Sequence, residues 1–251
     1  MVVLTVAGCA EPPPNRWTEP MTGMEFVRIP AGEFVMGSPP DEPGHQENET
    51  LHRVRLTKPF YLTTTEVTRR QWGAMMPSAS VSSDPDLPVV NVSWIDVQAF
   101  LEKLSAFRSG RYRLPTESEW EYACRAGTTT AYSTGATLTT DQANYNGEFP
   151  LPGQARGVNR GAIAKAGSFP PNPWGLLDMH GNAWEWTADP MCLYPEGSAT
   201  DPVPACDAPL KVIRGGSWRF DADSARCALR YTHRPQDSGD SLGFRVVLER
   251  P

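Results

Sequence analysis

From Met24 to Gly37 apolar and polar positions alternate on both sides of Pro30-Ala31-Gly32, which predicts a two-stranded hairpin with a short turn. Residues 38–52 are polar and without period, a loop, and Val54-Arg55-Leu56 and Phe60-Tyr61-Leu62 are short strand candidates. Thr68-x-x-Gln71 has the form of a capping box and predicts a short helix ending near Met76, before Pro77. After Ser93, the spacing of Trp94, Val97, Phe100, Leu101, Leu104 and Phe107 lays one buried stripe along a longer helix. Thr116-x-x-Glu119 opens a third helix through Trp120 and Tyr122, and Gly127 stops it. From 127 to 209 no period survives, yet Trp174, Trp184 and Trp186 punctuate the stretch, so the expectation is ordered coil pinned by buried side chains or bound ions. Two strand-like runs close the chain, Lys211–Arg214 and Gly243–Leu248.

Composition sharpens this picture. With 21 Gly and 25 Pro in 251 residues, long helices are excluded, and 8 Trp suit a fold held by aromatic anchors between irregular segments. The mixture of 21% charged and 39% hydrophobic residues is that of a chain that folds. A net charge of −6 without any basic tract argues against nucleic acid as a partner. No internal repeat and no linker follow residue 20, so residues 21–251 read as one domain and 1–20 as a tether.

Within that tether, Val6-Ala7-Gly8-Cys9 is similar to a bacterial lipobox and is followed by Pro12-Pro13-Pro14. The expectation is an exported protein, periplasmic or at the cell surface, lipidated on Cys9 and touching membrane only through that lipid. The alternative is a frayed terminus with no such role. Lipidation of Cys9 leaves Cys124, Cys192, Cys206 and Cys227, an even number suited to two disulfides in an oxidising compartment. Cys192 and Cys206 bracket a Pro/Gly-rich loop and are the expected pair; Cys124 with Cys227 follows by elimination, and the alternative is buried, reduced thiols.

Four blocks stand in order along the chain: Pro30-Ala31-Gly32-Glu33-Phe34-Val35-Met36-Gly37-Ser38, Arg113 to Ala123 (RLPTESEWEYA), Asn172 to Trp186 (NPWGLLDMHGNAWEW), and Arg214-Gly215-Gly216-Ser217-Trp218 closing with Leu242-Gly243-Phe244-Arg245-Val246. Together they resemble the sulfatase-modifying factor family, whose best-known members are formylglycine-generating enzymes. The resemblance implies an α+β single domain with little regular secondary structure, the formylglycine-generating-enzyme variant of the C-type lectin fold. It implies an oxidoreductase that converts a cysteine of a protein or peptide substrate to formylglycine with copper held by two thiolates. Those two cysteines fall here on Phe220 and Ala225, and the lone Cys227 cannot make a bis-thiolate site, so copper is not expected. The chain therefore reads as divergent or inactive in that reaction.

The resemblance also implies calcium. One ion would be held by the Asp178 and Glu185 carboxylates with the main-chain carbonyls of Gly181 and Ala183, a hard oxygen set. A second would use Asn144 and Tyr145, but no acid stands near Gly157-Val158-Asn159 to complete it. The structural alternative makes Asp178 and Glu185 turn-capping residues of a Trp-rich core.

His45, His52, His180 and His233 show no metal-ligand spacing. Candidate catalytic residues are Cys227, as a free thiol, and Ser217, with a turn serine bonding its own backbone as the alternative. Arg214, Arg230 and Arg245 could line an anion pocket, and pairing with acids is the commoner fate. Trp184, Trp186 and Trp218 could stack on a ligand or pack a core. The competing reading is thus a monomeric, exported C-type-lectin-fold protein that binds a ligand, or serves as an accessory lipoprotein, without catalysis.

Overall fold

The computed structural model describes residues 15–77, 84–107, 110–204 and 206–249. Its strands are β1 (Arg16–Thr18), β2 (Glu25–Ile29), β3 (Gly32–Met36), β4 (His52–Leu56), β5 (Phe60–Thr63), β6 (Arg111–Arg113), β7 (Trp184–Pro190), β8 (Ala199–Thr200), β9 (Lys211–Arg214), β10 (Tyr231–His233), β11 (Leu242–Gly243) and β12 (Val247–Glu249). Three helices, α1 (Arg69–Met75), α2 (Trp94–Ser105) and α3 (Glu117–Arg125), and a 3-10 turn (Asp223–Ala225) complete it. The strands form three sheets, in the orders β1-β2-β5-β12-β6, β10-β9-β7-β11 and β3-β4-β8.

The five-stranded sheet is covered on both faces, and the alternation of its strands shows why. Phe26, Tyr61 and Leu248 point to a core shared with Trp72 of α1 and with Val97, Phe100, Leu101 and Leu104 of α2. Val27, Ile29, Leu62 and Val247 point the other way, onto Trp120, Tyr122 and Ala123 of α3. Trp72 stacks on Phe100 at 5.2 Å, and Phe244 meets both rings edge-on, an arrangement aromatic quadrupoles favour. All three helices open with reciprocal capping boxes, Thr68/Gln71, Ser93/Asp96 and Thr116/Glu119. The helix after Ser93 ends at Ser105, and Phe107, expected on its buried stripe, is exposed.

Several expectations change. The tether does not extend to residue 20: Arg16–Thr18 pair antiparallel with β2, Trp17 packs on Phe26 and Glu19 is buried, so the domain starts before residue 21. Cys9 and the lipobox lie outside the described residues. The 24–37 hairpin does not form. β2 is buried on both faces and takes β1 and β5 as neighbours, while β3, beyond Pro30, pairs with β4 in another sheet. The closing run 243–248 splits between sheets: β11 pairs with β7, then the Val246 N–H is taken by the Thr63 hydroxyl and β12 enters between β5 and β6. The irregular middle of the chain contains a seven-residue strand, β7.

Disulfides join Cys124 to Cys227 and Cys192 to Cys206. The first fastens the end of α3 to the segment after the 3-10 turn, and the second closes the loop between β7 and β9. The three arginines pair with acids rather than lining an anion pocket. Arg214 bonds Glu121, Arg230 bonds both oxygens of Glu117, and Arg245 both oxygens of Glu185.

Candidate functional site

Two regions collect the residues singled out from the sequence. The first lies where the Asp178–Trp186 segment turns. Asp178, Gly181 and Asn182 all have positive φ (56°, 76° and 59°), which coils the chain tightly enough to feed β7 directly. The Gly181 N–H donates to the Gly215 carbonyl and the Asn182 N–H to the Asn144 carbonyl, both at 2.7 Å. A side chain at Gly181 would lie 2.3 Å from the Asn144 carbonyl oxygen, so glycine is required there.

Asp178 is buried beside a carboxylate that sequence reasoning missed, Glu66, which sits between β5 and α1 with no exposed surface. The two carboxyls are close enough for the negative charge of Asp178 to raise Glu66. Glu66 Oε1 accepts from Asn182 Nδ2 at 2.9 Å, and Asn182 Oδ1 accepts in turn from Asn144 Nδ2 at 3.1 Å. Asp178 Oδ2 accepts the Gly167 N–H. Glu66 Oε2, Asp178 Oδ1 and Asn144 Oδ1 are buried with no hydrogen-bond partner. Burial, reinforced by the charges of Asp178 and Glu185, holds the Glu66 carboxyl well above the ordinary carboxylate range, and burial raises Asp178 as well. Adjacent buried carboxylates with orphaned oxygens need a shared proton or a cation. Glu66 Oε2 and Asp178 Oδ1 are hard donors of the kind Ca²⁺ takes and offer nothing to a soft metal.

Glu185, an expected ligand, has a basic partner. Both of its oxygens accept from Arg245, at 2.6 and 2.7 Å, and Oε2 also accepts from Trp120 Nε1 at 2.7 Å. The carboxylate left without a basic partner beside Asp178 is therefore Glu66. Tyr145 is buried with its hydroxyl donated to the Leu138 carbonyl. A signal for Glu66 was present, since it is the single acid in the otherwise apolar or hydroxylic run 60–67.

The second region is the loop from Gly215 to Tyr231. Ser217 is buried, and its oxygen accepts the Arg219 N–H of its own turn at 3.4 Å; no histidine bonds it, so the turn-serine alternative holds. Phe220 and Ala225 stand where the resemblance puts paired cysteines. Ala225 is buried, whereas Phe220 is 37% exposed and packs edge-on against Trp184. Trp184 also stacks on Tyr231, itself 48% exposed, and Tyr231 and Trp186 both meet His233. The Arg219 guanidinium covers Trp218, whose buried indole N–H has no partner.

Cys227 is buried and bonded to Cys124, with His180 beside them. Ser133 donates its N–H to His180 Nε2, so Nδ1 carries the proton and donates to the Ala225 carbonyl at 2.8 Å. Cys124 Sγ is 4.0 Å from both ring nitrogens, equidistant and therefore along the lone-pair direction of neither. Burial pulls the His180 pKa down to about 4. Neither thiolates nor an available imidazole lone pair are offered here, and the donor set does not fit copper.

Residues 13–250 match the model of the sulfatase-modifying factor enzyme 1-like domain. A bovine protein named inactive C-alpha-formylglycine-generating enzyme 2 is 35% identical over 93% of the chain and 91% of its own length. A formylglycine-generating enzyme of Streptomyces coelicolor is 30% identical over 96% and 94%. Against the bovine formylglycine-generating enzyme, 36% identical over 69% of the chain, the match spans 47% of the relative. Among solved structures, PvdO from Pseudomonas aeruginosa superposes with a TM-score of 0.78 at 29% identity, covering 96% of this chain and all of that one. The α+β architecture is accordingly that of the formylglycine-generating-enzyme variant of the C-type lectin fold.

Proposed function

The chain belongs to the sulfatase-modifying factor family, and we propose that within it this protein is a calcium-supported binding member that does not form formylglycine through thiolate-bound copper. The observation that carries the reading is the pair Phe220 and Ala225 at the positions of the family's metal-binding cysteines, with Cys227 closed into a disulfide. Relatives of similar identity bear the names of both active and inactive enzymes, so family membership leaves the reaction open and the support for this reading comes from the donor atoms. Oxidation of a substrate cysteine by copper needs the metal held by soft ligands within reach of that thiol, and an exposed phenyl ring supplies none.

What the same face offers instead is an aromatic surface. Phe220 and Tyr231 are partly exposed while Trp184 packs edge-on against the first and stacks on the second, which suits a protein or peptide ligand that stacks on them. Ca²⁺ would be held by Glu66 and Asp178 with the Asn144 side chain and the carbonyls of Gly181 and Ala183. When bound it supplies positive charge that fixes the turn leading into β7 and hence Trp184. The residues do the rest: Asn182 ties Glu66 to Asn144, and Arg245 engages both oxygens of Glu185. Two disulfides and the Cys9 motif support an exported lipoprotein as the setting.

The test is incubation of the purified chain with Cu(I), oxygen and a cysteine peptide of sulfatase type, followed by capture of aldehyde with a hydrazide probe. No aldehyde above the copper-only background is expected, and all four cysteines of the domain should resist alkylation until reduced. Aldehyde formation that depends on the protein would overturn the reading.

A further inference from the structure

A cleft lies at the far end of β7, sharing only Arg230 with the second region. Trp184 begins that strand and Asp189 stands five residues on, roughly 16 Å along an extended chain. There the loop closed by Cys192–Cys206 arches over β4 and the start of α3, leaving a cleft of about 700 Å³. Its walls are apolar: Met36, Met191, Leu193, Val203 and Pro204, with the disulfide itself. Leu193 and Val203 are 89% and 80% exposed, a large apolar surface for so short a loop.

Polar groups converge on the floor, and all but one are matched. The Arg230 guanidinium is spent on Glu117, on the Asn48 and Cys192 carbonyls and on the face of Tyr194. Glu117 is satisfied by Arg230 and the Tyr194 hydroxyl, with Arg214 at 3.7 Å. Asp189 is the exception. It is buried, accepts only the Glu117 N–H at 2.8 Å, and forms no ion pair among the described residues. The nearest cation, Lys211 on β9, donates to the Ala188 carbonyl and sits over the ring of Trp94. Around Asp189 the facing charges are Glu117 and Glu119 of α3, Lys211 of β9, Arg230 before β10 and His52 of β4 across the cleft.

We propose that this cleft is a binding site for a small ligand with an apolar body and one cationic nitrogen, the nitrogen seated on Asp189 and the body between the disulfide loop and β4. The size and apolar lining suit a small molecule, and one unpaired carboxylate fixes its orientation. An anion has no partner here, because each positive group on the floor is already neutralised. Desolvation first, then the charges of Glu117 and Glu119, push the Asp189 carboxyl up to about 7. A bound ammonium would reverse both effects, so binding tightens as pH rises through 7.

The test uses the full chain and three probes of one shape: benzylamine, benzyl alcohol and benzoate, titrated by protein NMR at pH 6 and pH 8. Benzylamine is expected to saturate, to bind about tenfold more tightly at pH 8 than at pH 6, and to bind about tenfold better than benzyl alcohol. Asp189→Asn keeps an oxygen for the Glu117 N–H and should abolish the preference for the amine and its pH dependence. Ala199→Phe, which fills the cleft without touching Asp189, should remove binding of every probe. Benzyl alcohol or benzoate binding as tightly as the amine, an unchanged affinity in Asp189→Asn, or no saturable binding of benzylamine would each overturn the proposal.

Discussion

At the residue scale, the behaviour of the molecule with pH and calcium turns on Glu66 and Asp178. Both carboxyls are raised in the folded state, so between the ordinary carboxylate pKa and their folded values the native chain binds more protons than the unfolded one. Metal-free stability therefore contains a component that is present at low pH and is lost as pH rises through that window. A cation replaces the proton and removes the loss. In excess EGTA the midpoint of thermal unfolding should fall as pH is raised from 5 to 8. Calcium at about a hundred times its dissociation constant should restore about 2.7 kcal/mol, roughly 5–10 °C for a domain of this size. Glu66→Gln removes one carboxylate and with it most of the calcium-dependent shift, while in EGTA at pH 8 it should be as stable as the parent or more so. A calcium shift undiminished in Glu66→Gln, measured by scanning fluorimetry, would place the ion elsewhere.

At the scale of elements, the helices were legible because each announces itself locally. Thr68, Ser93 and Thr116 cap where the pattern starts, and the buried stripe of α2 follows from spacing as far as Leu104. Strand pairing was not legible. β2 and β3 look like two arms of a hairpin, and only the burial of Val27 and Ile29 against α3, decided by residues far along the chain, sends β3 elsewhere. β7 was hidden for a similar reason: its start is set by positive φ at Asp178 and Asn182, a conformation that a non-glycine sequence does not signal. Glu66 was overlooked because its partner Asp178 lies over a hundred positions away. The loop from 190 to 206 carries no period, and what orders it is its covalent closure. Cys192→Ala with Cys206→Ala should thus cost about 3 kcal/mol by loss of loop closure in the unfolded state, and the Cys124–Cys227 pair, separated by 103 residues, about 4.7. Urea denaturation of the two double mutants checks the order. Loss of the Cys192–Cys206 bridge should open the cleft over Asp189 yet leave the aromatic face at Trp184 unchanged in near-ultraviolet circular dichroism.

At the scale of the whole molecule, one arginine joins parts of the chain that share no local structure. Arg245 lies where the chain passes from β11 to β12, and its guanidinium reaches both oxygens of Glu185 and the carbonyls of Thr63 and Leu177. It is also the positive charge that partly offsets the rise of the Glu66 and Asp178 carboxyls. Three buried acids, one from the first third of the chain and two from the last, are thus balanced by a single residue near its end, together with whatever proton or cation sits between Glu66 and Asp178. Arg245→Gln leaves Glu185 buried without its partner, a loss of about 3–5 kcal/mol against a total stability of about 5–15 for a domain. The deficit should be dependent on conditions in a way that a packing defect is not. Acidification from pH 7 to pH 5 shifts the raised carboxyls toward their protonated form and should recover part of it, and so should calcium, since either relieves the excess negative charge that Arg245 had balanced. Denaturation curves of Arg245→Gln in EGTA at both pH values, and in calcium at pH 7, separate the cases: an equal loss in all three would mean that Arg245 acts through packing and backbone hydrogen bonds alone, and that Glu66, Asp178 and Glu185 do not form one electrostatic unit.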